Sequence, residues 1–116
     1  MFRLYAKENL NDTATIDNID EGKSFYVILE TENLPNYTDI SFIVTGIEPE
    51  DISGGELEGQ FQIVDSMAHT YFTINADRTT EGGQQFLLSL TDYVNDISGL
   101  QIYINDTSTY LSLIHI

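Results

Sequence analysis

The 116 residues include nineteen Asp and Glu against four Lys and Arg, a formal net charge of −15, which repels phosphate backbones and anionic bilayers and excludes nucleic acid and membrane surfaces as expected partners. With 41% apolar residues, seven Tyr and six Phe, the chain is long enough to close one hydrophobic core, too short for two, and too aromatic to stay disordered. There is no cysteine, so disulfides and thiolate metal sites are excluded and redox chemistry says nothing of the compartment.

In chain order, Met1-Phe2-Arg3-Leu4 gives way to polar residues where a secretory signal would need an apolar stretch, and no apolar run approaches membrane-spanning length. Membrane insertion is therefore not expected. Alternating apolar positions rich in β-branched and aromatic residues predict strands over residues 2–6, 13–19, 23–31, 38–45, 56–64, 67–76, 84–91 and 100–105. Phe25, Val27 and Leu29 share one strand face, as do Ile40, Phe42 and Val44, and as do Phe86, Leu88 and Leu90. Leu34-Pro35-Asn36 predicts a turn, with Pro presetting φ and Asn tolerating a positive one. Ser53-Gly54-Gly55 and Gly82-Gly83 supply further corners. The expected fold is an all-β, immunoglobulin-like antiparallel β-sandwich of seven to eight strands, with Phe25, Val27, Phe42, Val44, Phe61, Phe72, Phe86, Leu88 and Ile102 in its core.

Little in the chain points to catalysis. His69 and His115 are the two histidines, and His69 sits in an alternating strand whose Phe72 and Ile74 face inward, which puts His69 on the surface. Paired carboxylates are inevitable among nineteen acids, and nothing supplies a nucleophile, a phosphate loop or a transition-metal set. No enzyme activity is expected. The seven tyrosines offer a carbohydrate-stacking surface if several share an exposed face, and half-buried packing if they do not.

The ordered set Asp20-Glu21-Gly22, Glu50-Asp51-Ile52, Asn75-Ala76-Asp77, Thr80-Glu81-Gly82 and Ile104-Asn105-Asp106-Thr107-Ser108 resembles the Calx-beta domain family. Thr31-Glu32-Asn33-Leu34-Pro35 and Leu57-Glu58-Gly59-Gln60-Phe61 extend that resemblance toward the Calx-beta-like repeats of large marine phage and bacterial surface proteins. It implies a single repeat over residues 1–110 in an array, with Phe2-Arg3-Leu4 as an opening strand and Tyr110 as the first strand residue of a following unit. A free-standing domain is the alternative. Residues 111–116, Leu-Ser-Leu-Ile-His-Ile, fit neither and are similar to one reading frame of a sequencing-library adapter, so they are expected to be a non-native tail.

The resemblance also implies calcium. Glu21 matches the acid of the family's Glu-Gly motif, Asp51 its mid-chain loop acid, Asp77 and Glu81 the paired acids of the next loop, and Asp106 the terminal acid. Calcium takes six to eight hard oxygen ligands, which loops at one end of a sandwich can supply. Gln84 and Thr107-Ser108 stand where the family's sensors carry further acids, so weak binding is expected. The function implied is a structural or adhesion repeat of an extracellular, cell-surface or virion protein, with neighbouring repeats and a cell-surface glycan or protein receptor as partners. The alternatives are a calcium-responsive regulatory module and a carbohydrate-binding module.

Overall fold

Every second side chain of Asp39–Thr45 is buried: Ile40, Phe42 and Val44 are at most 5% exposed, while Asp39 and Thr45 lie open to solvent. Extended backbone forces this two-residue period, and it organises the whole molecule. The computed structural model describes residues 2–75, 84–91 and 99–105. Within them lie β1 (Arg3–Lys7), β2 (Asn18–Asp20), β3 (Ser24–Glu30), β4 (Asp39–Thr45), β5 (Glu58–Gln62), β6 (Met67–Thr73), β7 (Gln84–Leu90) and β8 (Leu100–Asn105), with one 3₁₀ turn, Pro49–Asp51, between β4 and β5. None of the described helical structure is long and apolar enough to cross a membrane.

The strands form two sheets, one ordered β1-β3-β6 and the other β2-β8-β7-β4-β5. All pairings are antiparallel except that of β2 with β8. The fold is thus the all-β sandwich that the alternation predicts. Each of the nine core residues named from the sequence is buried, none more than 6% exposed. Aromatic rings carry much of the contact between the sheets: Phe86 of β7 meets Phe25 of β3 edge-on at 5.2 Å and Phe72 of β6 at 4.9 Å, and Phe72 in turn approaches Phe42 of β4 at 6.0 Å. Quadrupolar edges against faces favour such tilted geometries.

Two local expectations are corrected. The strand expected over residues 13–19 shrinks to Asn18–Asp20. Ile16 bonds to Ala6 in the first sheet, whereas Asn18–Asp20 pair with β8 in the second, and a chain crossing between sheets cannot maintain one ladder. In the Leu34-Pro35-Asn36 turn the positive φ falls on Tyr37 and Asn33 instead of Asn36. Asn36 has another task, since its Oδ1 accepts the Asp65 backbone N–H at 2.9 Å and ties this turn to the one between β5 and β6. Gly82-Gly83 and residues 106–116, including the six-residue tail, lie outside the described residues.

Candidate functional site

Turns and strand ends gather at one end of the sandwich. The turn between β2 and β3 closes with the Lys23 N–H donating to the Asp20 carbonyl, and Gly22 adopts φ 84°, a conformation that costs glycine little. From this turn the Glu21 N–H reaches the Asn105 carbonyl at 3.2 Å and the Gly22 N–H reaches the Ile74 carbonyl at 2.8 Å. On the other side, the 3₁₀ turn presents the Asp51 carbonyl to the Asn75 N–H at 2.8 Å. The Ile74 carbonyl and the Asn75 N–H belong to one peptide unit. That single unit is held between the backbone next to Glu21 and the backbone of Asp51.

Glu21 and Asp51 are both buried, at 9% and 7% exposure, unusual for acids. Asp51 is engaged by one local and one distant partner: its Oδ2 accepts the Glu48 N–H at 2.9 Å and the Gln84 side-chain amide at 3.4 Å, so the carboxylate caps the 3₁₀ turn and fastens it to the start of β7. Asn75 strengthens the same junction by donating its side-chain amide to the Glu50 carbonyl at 2.9 Å. Asn105 closes the far side, its Nδ2 donating to Asp20 Oδ1 at 2.9 Å and to Asn18 Oδ1 at 3.2 Å.

Of the five acids expected to hold calcium, the structure brings Glu21 and Asp51 to this end, while Asp77, Glu81 and Asp106 lie outside the described residues. Among the described residues no three His, Asp or Glu side chains gather as a metal-holding group. Asn75, Gln84 and Asn105 stand in or beside the motifs named from the sequence, but the bonding role of their amides was not anticipated there. Their only signal is position, each flanking one of the acids, and amides are ordinary at strand ends. As a capping group, Asp51 should matter even without a metal. Asp51→Ala removes the side-chain acceptor of the Glu48 N–H and should lower the unfolding free energy by about 1–2 kcal/mol in urea titrations. Asp51→Asn keeps an acceptor oxygen and should cost less than half of that. Equal losses would show that the negative charge, and not the acceptor, is what the turn requires.

His69 is exposed as expected, packed edge-on against Tyr26 at 5.7 Å. No protein-family model matches the chain, and no curated protein is significantly similar to it in sequence.

Proposed function

We propose that the chain is a non-enzymatic sandwich module of a larger extracellular, cell-surface or virion protein, a spacer or adhesion repeat whose end loops hold calcium weakly. The observation that supports this reading most directly is the clamped peptide unit Ile74–Asn75. It draws Glu21 and Asp51 to one end of the sandwich, beside Asn75, Gln84 and Asn105. Those three residues stand within a few positions of Asp77, Glu81 and Asp106 in the chain. If the acids of the flanking segments join Glu21 and Asp51 there, in a protein of net charge −15, they repel one another and a divalent cation relieves that repulsion.

Calcium should bind no more tightly than in extracellular modules, about 10⁻⁴ to 10⁻³ M, and magnesium less well, because its small shell demands near-ideal octahedral geometry. At ten times the dissociation constant the stabilisation amounts to about 1.4 kcal/mol, a rise in melting temperature of about 5 °C for a domain of this size. The test is thermal unfolding with and without calcium at matched ionic strength, for the natural chain and for an Asp77→Asn, Glu81→Gln double variant. The rise should vanish in the double variant. An equal rise in both proteins would reduce calcium to general charge screening.

A further inference from the structure

The outer face of the three-stranded sheet differs in chemistry from the rest of the molecule. Strand register lays its side chains out in three rows across β1, β3 and β6: Lys7, Tyr26 and Tyr71; Tyr5, Ile28 and His69; Arg3, Glu30 and Met67. Two of the chain's four Lys and Arg stand here, with one of its nineteen acids. That acid is engaged. Glu30 pairs with Arg3 at 3.3 Å and accepts the Tyr5 hydroxyl. Burial, with the hydrogen bond to Glu30, holds the Tyr5 phenol above its usual range and keeps it a neutral donor. Lys7 makes no ion pair among the described residues and lies 5.7 Å from the centre of the Tyr5 ring. It is a cation backed by an aromatic surface, with its charge uncommitted.

Tyr71 packs on Tyr26 with ring centres 4.7 Å apart and planes tilted by 53°, and it remains 54% exposed. One side of the Tyr71 ring is thus fixed by Tyr26 while the rest is open to solvent. Open tyrosine faces receive the axial C–H groups of a pyranose, and a cation in the same row receives a carboxylate borne on the sugar. Size decides between a saccharide and a protein. Three strands about 4.8 Å apart, with three rows of side chains, cover roughly 300 Å², well below the roughly 800 Å² per partner of a stable protein interface.

We propose that this face binds an acidic oligosaccharide, with the pyranose rings on Tyr71 and Tyr26 and a carboxylate on Lys7. Ile28, buried although it faces outward, floors the surface in the next row, between Tyr5 and His69. The proposal goes beyond the calcium reading and does not depend on it.

The experiment is an amide NMR titration of the full chain, in EDTA, with tetragalacturonic acid and with the same tetramer after reduction of its carboxylates to neutral hydroxymethyl groups. Shifts should centre on Lys7, Tyr26, His69 and Tyr71, with the acidic tetramer bound about tenfold more tightly than the neutral one. Tyr71→Ala should weaken both about tenfold. Lys7→Glu should abolish the preference for the acidic tetramer while leaving the neutral one bound as before. Unchanged melting temperatures would confirm that both variants fold. Equal affinity for the two tetramers, or shifts elsewhere in the protein, would overturn the proposal. So would a concentration dependence of the same amides without saccharide, which would assign the face to a second copy of the chain. Because both titrations exclude calcium, failure here leaves the end-loop reading untouched.

Discussion

Replacing Phe86 with Ala should lower the unfolding free energy by about 3–5 kcal/mol, a large part of the stability of any domain of this size. The ring is fully buried on β7 and sits between Phe25 and Phe72 of the opposite sheet, at 5.2 and 4.9 Å. Truncation therefore removes contacts on both sides and leaves a cavity between two sheets that cannot close on it without shifting as bodies. Urea unfolding followed by tyrosine fluorescence gives the number. Phe86→Leu, which keeps most of the volume, should recover more than half of the loss. A double-mutant cycle with Phe72→Ala should show a coupling of about 0.5–1.5 kcal/mol, the part specific to the ring pair. A cost below about 1 kcal/mol for Phe86→Ala would mean that the sheets do not pack on this ring.

The second large effect is at Gly46, immediately after β4. Its φ is +87°, and a Cβ there would stand 2.2 Å from the Gln85 carbonyl oxygen, a backbone atom with no rotamer to retreat into. Gly46→Ala must both occupy a left-handed conformation and push β7 away from the end of β4, so a loss of about 3 kcal/mol or more is expected. Gly54 provides the control. Its φ is +90°, yet a Cβ added there would meet nothing within 4 Å, so Gly54→Ala bears the conformational cost alone, about 1–2 kcal/mol. Denaturant midpoints of the two variants separate collision from strain, and equal losses would show that the approach of residue 46 to β7 opens freely.

Much of the fold was legible because extended backbone ties burial to parity in sequence. Phe25, Phe42, Phe61, Phe72 and Phe86 could be placed inside from their neighbours alone, and β8 was located at its observed bounds, Leu100–Asn105. Partner choice was not legible, because alternation says which face is apolar and nothing of which strand lies alongside. The crossing of the chain between sheets near Ile16 and the parallel pairing of β2 with β8 both depend on that choice. Ile28 defied parity for a related reason: it points outward with Tyr5 and His69 as cross-strand neighbours, and these cover it. At the candidate end, the acids Glu21 and Asp51 could be named, but the burial of Asp51 comes from Glu48 and Gln84, one of them a distant partner. A tyrosine surface could be raised from the sequence, but not which tyrosines form it or that a cation joins them, because Lys7, Tyr26 and Tyr71 become neighbours only through register.

The parallel pairing of β2 with β8 also governs how the molecule carries load. Asp20 lies beside Asn105, so the chain enters this pair at Asn18 on one side and leaves it past Asn105 on the other. Tension applied through the preceding and following segments therefore pulls the two strands past each other along their length. Every rung between them bears the force at once, whereas in an antiparallel hairpin the bonds would open singly, like a zipper. Rupture then requires several hydrogen bonds to fail together, and the unfolding rate under force falls accordingly. The β2–β8 pair is therefore loaded in shear, a geometry that resists sliding better than peeling.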